Sequence, residues 1–473
     1  MNYELRFNDF KKEYTCSKDN FWKDVAINIF QNPEFELSKG DITISTDCDY
    51  VEYKVLERGS FIKEGVKYPS IHLSLIDDSC SIAEHNAEEC YLVCVNGESN
   101  NYKFYHMKPS LNGIEVEYGR IGETSGRYAP RRVKEPYPLE QFWILYYEKL
   151  SKGYVDMSDT YLGKEHKASN EEKVDTSNAN GELYSLLKGF ATRYVEENLI
   201  SSRVTETQVK EARKLVNKLG KYSQKPTYFN NTLKELVALS PRSVRYVSSL
   251  FAKSKEDFKD IVEREESLVS AMEGISTKSY KNGFSDNFEI FYATDKQREE
   301  VMRHLSDTLK PKVKSIYRII DKRQKDLFNR YCEKNKITTI KSFFHGSTNQ
   351  NWLSIVNNGL KLNPNAKITG KMLGYGIYTG KASKSYGYTS LTNAYWTNEH
   401  SKIGILGLYA TAYGNPLHVY NDIRSYTRAE LDAKKCNCVH AHGGNGLYLR
   451  NDEVVFYSEA ALLLNYIIVL EER

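Results

Sequence analysis

The sequence predicts a multidomain α+β protein, with β-rich units at the front, a helical middle and a mixed, largely antiparallel β core at the end. Three observations carry this. Up to about residue 160, short runs alternate apolar and polar residues with turn residues between them. From Glu182 to about Ile275 the apolar positions recur at helical spacing. From Phe288 onward strand-like and helix-like segments mix. At 473 residues the chain exceeds one ordinary core, so three or four domains are expected. Hydrophobic residues make up 40% and aromatic residues 12% of the chain, enough to pack each domain, which excludes wholesale disorder.

Residues 1–84 form a first unit, with strand patterns at Asp41–Ser45 and Val51–Val55. It carries sixteen acidic against ten basic residues, a net of −6 that leaves +10 for the rest of the chain. That balance is compatible with a phosphate-bearing partner without demanding one. Residues 85–161 read as a second unit, with strands at Cys90–Val95, Tyr102–Met107 and Ile114–Ile121 and a helix over Leu139–Leu150. Residues 162–181 are polar and aperiodic, a linker.

The helical unit spans residues 182–280. Leu183, Leu186, Leu187 and Phe190 share one face, and Val209, Ala212, Leu215, Val216 and Leu219 share another. Thr205-Glu206-Thr207-Gln208 offers a capping start for the second of these helices. Further helices are expected over Thr232–Leu239, Val244–Ala252 and Lys255–Met272. In residues 281–473, Val313–Ile320, Ile340–Phe344, Glu453–Tyr457 and Tyr466–Leu470 read as strands, with a charged helix over Lys322–Lys334.

Several function classes find no support. There is no phosphate loop, no His-Glu-x-x-His metal site and no nucleophile elbow. Gly374-x-Gly376 lacks the βαβ setting and third glycine of a dinucleotide fingerprint. Cys436-x-Cys438-x-His440-x-His442 alternates too tightly for the usual paired-cysteine zinc spacing, so no metal is expected. The basic run from Lys310 to Lys325 reads as a solvated surface. Eight scattered cysteines and the lack of a signal-peptide pattern favour a reducing intracellular compartment. That would be nuclear in a eukaryote and cytoplasmic in a bacterium. Ala460–Leu470, the longest apolar stretch, is too short to span a membrane.

Three fragments in the last third stand out by their order and spacing: His345-Gly346-Ser347, then Gly374-Tyr375-Gly376-Ile377-Tyr378 with Ser383-Lys384-Ser385-Tyr386-Gly387-Tyr388, then Glu453 at the head of an apolar strand. Together they resemble the catalytic domain of the poly(ADP-ribose) polymerases. Upstream, Tyr118-Gly119-Arg120-Ile121-Gly122-Glu123, preceded by Asn101-Tyr102-Lys103-Phe104-Tyr105 and followed by Lys152-Gly153-Tyr154, is similar to the WGR domain, with Tyr118 in place of the first-position Trp. The segment between them stands where that family carries an α-helical regulatory domain.

The resemblance implies NAD⁺ as substrate and His345, Tyr378 and Glu453 as the catalytic set. It implies that His345 bonds the adenosine ribose, with Ser347 nearby. Gly346 would pair with the nicotinamide carboxamide, and the glycine lets backbone approach a planar amide without a Cβ in the way. Ser385 would bind the carboxamide, Tyr378 would line the site and Tyr388 would stack on the ring. Lys361 stands on the adenosine side where relatives often have Arg, and Tyr375 replaces a Lys common beside the acceptor site. Glu453 would bond the ribose 2′-hydroxyl and polarise the acceptor hydroxyl. Such chemistry rests on positioning and electrostatics, because nicotinamide is already a good leaving group whose departure neutralises a pyridinium.

The expected activity is therefore NAD-dependent ADP-ribosyl transfer, stimulated by DNA ends or nicks and extended into poly(ADP-ribose), with the protein itself among the acceptors. Tyr118, Arg120, Arg127, Arg131 and Arg132 are the candidate DNA contacts. The rivals are a mono(ADP-ribosyl)transferase acting on protein or nucleic acid, and a catalytically silent scaffold that binds DNA ends.

Overall fold

The structure is a computed structural model describing residues 1–34, 37–63, 66–82, 86–162, 174–201, 203–222, 226–362, 365, 371–392, 401–444 and 449–472. The chain divides into two compact units, Met1–Glu165 with Val237–Phe251, and His166–Leu236 with Ala252–Arg473. Among the described residues no helix is long and apolar enough to cross a membrane.

In the first unit, two five-stranded sheets share one helix. The first sheet runs Phe10–Thr15, Asn2–Phe7, Gly40–Ser45, Tyr50–Lys63, Val66–Asp78, all antiparallel neighbours. Its alternation buries Tyr3, Leu5, Phe7, Ile42, Ile44, Val51, Tyr53 and Val55 against the helix Phe21–Phe30. The second sheet is Val155–Asp156, Cys90–Asn96, Asn101–Ser110, Gly113–Arg120, Arg131–Arg132. The helix Phe142–Ser151 lies between the two sheets' cores. Phe142 and Leu145 join the second core, whereas Ile144 is buried in the first with Trp143 and Tyr147 packed against it. Glu148 on this helix is fully buried, with His72 Nδ1 at 3.0 Å and Lys152 Nζ at 2.5 Å.

Residues 244–252 do not form the expected helix; only a short 3₁₀ turn, Val247–Leu250, is present. The backbone groups there are claimed by the second sheet instead. The Val247 N–H donates to Asn100 Oδ1 at 3.0 Å, and the Arg245 carbonyl accepts from Arg120 at 3.1 Å. With its polar groups satisfied that way, the segment has no need of a helical ladder.

In the second unit the helices Ala179–Asn198, Glu206–Leu219 and Phe258–Ser276 pack on a two-sheet domain. Thr205 makes the expected capping box with Gln208. The buried face of the first helix is Leu183, Leu187, Ala191 and Val195, flanked by Tyr184 and Tyr194, while Leu186 and Phe190 are only half-buried. Helix Lys322–Lys334 occupies the predicted residues, capped by Asp321, whose carboxylate accepts the N–H groups of Arg323 and Gln324.

The larger sheet is antiparallel, in the order Phe288–Tyr292, Val313–Asp321, Leu462–Glu471, Ile403–Thr411, Lys341–Gly346. The smaller runs Ile377–Thr379, Glu453–Phe456, Cys438–Ala441, Pro416–Val419, with the last pair parallel. Phe344 and Gly380 exchange backbone hydrogen bonds at 2.8 and 3.0 Å, joining the edge strand of one sheet to that of the other. That junction positions the site.

Candidate active site

Three strand ends meet at the junction. His345 sits one residue beyond Phe344, Tyr378 two residues before Gly380, and Glu453 heads the strand that pairs Tyr378 with Val455. The three fragments that are distant in sequence are thus adjacent in the fold.

His345 Nδ1 lies 2.9 Å from the Tyr378 carbonyl oxygen. A carbonyl only accepts, so Nδ1 carries the proton and Nε2 of the neutral ring is an acceptor. Burial, with Lys371 and Lys384 nearby, lowers the imidazole to about 4, against which the Tyr378 hydrogen bond acts. The ring is therefore neutral at physiological pH. Its edge faces Trp352 and Tyr409, each at a centroid distance of 6.4 Å. A Cβ at Gly407 would come within 2.8 Å of the Trp352 ring, so the Ile403–Thr411 strand leaves room for the buried indole.

Gly346 is required for a reason within the protein. A Cβ there would lie 1.9 Å from the Ser385 carbonyl oxygen. Ser385 is buried, and its hydroxyl donates to the Phe344 carbonyl at 3.0 Å, so the short helix Ala382–Tyr386 is clasped to the His345 strand. Gly346→Ala must part helix and strand. A loss of about 1–3 kcal/mol in thermal or denaturant unfolding is expected, with NAD turnover falling with it.

Tyr378 is fixed at both ends of its hydroxyl, accepting the Leu373 N–H at 3.0 Å and donating to the Gly374 carbonyl at 3.2 Å. Gly374 has φ +88°, a conformation that suits glycine. Burial raises the phenol, so Tyr378 stays protonated. The Lys371 ammonium stands over its ring, 4.8 Å from the centroid.

Glu453 Oε1 is 2.6 Å from Lys384 Nζ, both side chains being mostly covered. Burial lowers the Lys384 ammonium and Glu453 supports it; Lys371 is likewise lowered by burial and supported by Glu266, Glu453 and Glu263. The same two ammonium groups thus act on His345 and on Glu453. Sequence reasoning missed both lysines as partners. Lys384 sits inside the Ser-Lys-Ser motif, but only the fold shows what it faces.

The other predicted site residues are placed as follows. Ser347 Oγ accepts from Asn351 at 3.0 Å, and the Ser347 carbonyl from the Trp352 indole at 3.2 Å. Tyr388 is 39% exposed and acts electrostatically on Tyr378. Lys361 is in a surface ion pair with Glu459 at 3.0 Å. Cys438 Sγ points to the Tyr413 carbonyl and Cys436 Sγ to the Lys434 carbonyl, so neither cysteine of the Cys-x-Cys-x-His-x-His run joins its histidines.

In the first unit, Gly119 allows the Pro130 backbone to approach, since a Cβ would lie 2.9 Å from its Cα. Tyr118 is 40% exposed and pairs across the sheet with Arg131. Arg131 donates to the Arg127 carbonyl at 3.2 Å, and Arg127, Arg131 and Arg132 are all exposed. Arg120 is committed elsewhere, to the carbonyls of Asn100 at 2.9 Å and Arg245 at 3.1 Å.

The family model of the poly(ADP-ribose) polymerase catalytic domain matches residues 295–453, and that of the WGR domain matches residues 88–160. The poly [ADP-ribose] polymerase-like 100L protein of Invertebrate iridescent virus 6 is 27% identical over 162 residues, covering 32% of this chain and 83% of the viral protein. The chain carries a poly(ADP-ribose) polymerase catalytic domain preceded by a WGR domain. It is an NAD⁺ ADP-ribosyltransferase.

Proposed function

We propose that the protein builds poly(ADP-ribose) on protein acceptors, itself among them, when DNA ends or nicks engage the WGR domain. The observation that carries the catalytic part is the Glu453 carboxylate, held by Lys384 at 2.6 Å beside Tyr378 and His345. In the reaction the bond from ribose C1′ to the nicotinamide nitrogen breaks, its electron pair neutralising the pyridinium, and an acceptor oxygen bonds to C1′. Glu453 accepts a hydrogen bond from the ribose 2′-hydroxyl and another from the acceptor hydroxyl, whose proton passes to the carboxylate as its oxygen bonds to C1′. Neutral His345 offers Nε2 to the adenosine ribose. Tyr378 and Tyr388 flank the nicotinamide ring, and Ser385 and Gly346 hold its carboxamide. Mono(ADP-ribosyl) transfer is the second reading, favoured by the exposed Tyr375 where elongating relatives carry a cation. Product length on a gel separates the two.

The helix Phe258–Ser276 supports a regulatory reading. Its Glu263 and Glu266 face Lys371, the cation over the Tyr378 ring. Asn365, fully buried, ties the helices to the catalytic domain, accepting from the Gly220 N–H at 2.7 Å and donating to Glu266 at 2.8 Å. Glu263 Oε2 is buried with no hydrogen-bond partner among the described residues. Burial pushes its carboxyl up to about 7, partly offset by Lys259 and Lys371. A raised acid favours the folded state at low pH and loses that advantage as pH rises from the unfolded value toward 7. Glu263→Gln is therefore expected to match the parent near pH 4.5 and to exceed it by on the order of 1–2 kcal/mol above about pH 7. Denaturation curves at both pH values check this.

The DNA-dependent part is tested by NAD⁺ consumption with and without nicked or blunt duplex. A large stimulation is expected. Equal rates with and without DNA, despite measurable DNA binding, would overturn it.

A further inference from the structure

The Pro416–Val419 and Cys438–Ala441 strands are parallel and place His418 directly beside His440. His442 follows His440 by two residues and continues the ladder, its N–H donating to the Val419 carbonyl at 2.8 Å. Residues two apart on a strand, and lateral neighbours across it, share a face, so three imidazoles stand on one side of the sheet. One nitrogen from each lies within 4.8 Å of the other two. His418 Nδ1 and His442 Nε2 are 2.8 Å apart. We infer that His418, His440 and His442 form a binding site for a divalent transition-metal ion of the zinc class.

Ligand chemistry and geometry support that class. Three neutral imidazoles suit Zn²⁺, Co²⁺, Ni²⁺ or Cu²⁺, whereas Mg²⁺ and Ca²⁺ demand oxygen ligands. Tetrahedral zinc with bonds of about 2.0–2.1 Å keeps its nitrogens roughly 3.3 Å apart. The observed separations bracket that value, so small ring rotations bring the set into register. The surrounding groups are those that orient a metal-bound imidazole. His440 Nδ1 meets the Tyr413 hydroxyl at 2.7 Å and His440 Nε2 faces Asp452 Oδ2 at 3.6 Å, so whichever nitrogen binds, the other has a partner. Asp452 is itself held by the Gly443 N–H at 2.9 Å. A water can complete four-coordination. The sequence offered Cys436 and Cys438 as companions of these histidines; the fold replaces both with His418, drawn from a strand that sequence reading left unassigned.

The location gives the ion a task. Asp452 immediately precedes Glu453, Ala441 pairs with Glu453 and His440 with Val454. An ion here pins together the outer strand pair, against which the strand presenting the Glu453 carboxylate is laid.

The test uses the full chain, stripped with chelator and titrated with Co²⁺ and then Zn²⁺. One equivalent should bind, with the visible absorption of a tetrahedral nitrogen site and no thiolate charge-transfer band. A hundredfold excess of Zn²⁺ over its Kd should raise Tm by roughly 5 °C. His418→Ala, whose side chain is exposed, and His442→Ala should each lower affinity at least tenfold while circular dichroism stays native. Cys436→Ser with Cys438→Ser should bind as the parent does. Failure of the parent to bind one equivalent, or uptake that survives both histidine substitutions, overturns the site, as does uptake lost only with the cysteines.

Discussion

Glu453→Gln is expected to abolish polymer synthesis, lowering ADP-ribosyl transfer by about 10²–10³-fold or more while leaving residual NAD⁺ hydrolysis. The amide keeps the shape of the carboxylate and can still contact a ribose hydroxyl, but it carries no charge to orient an acceptor. It also leaves the Lys384 ammonium, now 2.6 Å from Oε1, without its counter-ion in a covered site. Because burial already lowers Lys384, the variant is expected to relieve the conflict by shedding that proton rather than by unfolding. Radiolabel from NAD⁺ resolved by gel checks the outcome. Undiminished polymer in the variant sinks the assignment of Glu453. Loss of the polymer together with loss of the folded state would be read from circular dichroism and corrected by Lys384→Met in the same background, which removes the orphaned charge.

The second large effect is on stability. Glu148→Ala is expected to cost about 3–5 kcal/mol, because it removes the carboxylate that serves His72, Lys149 and Lys152 in the interior of the first unit. Burial alone would raise the Glu148 carboxyl, but His72 and the two lysines overcome it and hold it down at about 2. A depressed acid stabilises the fold above its unfolded value and loses that contribution as pH falls toward 2. The gap between parent and variant should therefore be widest near neutrality and close below about pH 3, as followed by urea unfolding. His72 belongs to the N-terminal sheet and Glu148 to the WGR helix, so the same substitution should loosen residues 1–84 from their neighbour, which limited proteolysis would detect.

Much of the catalytic domain was legible because its signals are local. Asp321 and the charged amphipathic run after it specify the Lys322–Lys334 helix by capping and periodicity, and Thr205 with Gln208 does the same for Glu206–Leu219. The expected triad came from spacing and residue type, and the fold brings its three strand ends to one junction. What sequence could not supply was tertiary. Ile403–Thr411 is the strand beside His345, yet glycines at 404 and 407 dilute its pattern; Gly407 is there to admit Trp352, a contact between residues far apart in the chain. Residues 244–252 carry helical periodicity, but Asn100 and Arg120 capture their backbone. Arg120 was singled out by its charge beside the Tyr118 signature, and charge alone does not show that the carbonyls of Asn100 and Arg245 take its guanidinium. The histidine face was hidden behind two cysteines that turn away from it.

The most direct measurement is nicotinamide release from NAD⁺ by the purified full chain, supplied with nicked DNA, alongside His345→Leu and Glu453→Gln. Release by the parent at a rate well above both variants is the expected result, with adenylate label appearing on protein in step with nicotinamide. A parent that is folded and binds DNA yet frees no more nicotinamide than its variants would contradict the convergence of His345, Tyr378 and Glu453 on a single nicotinamide riboside.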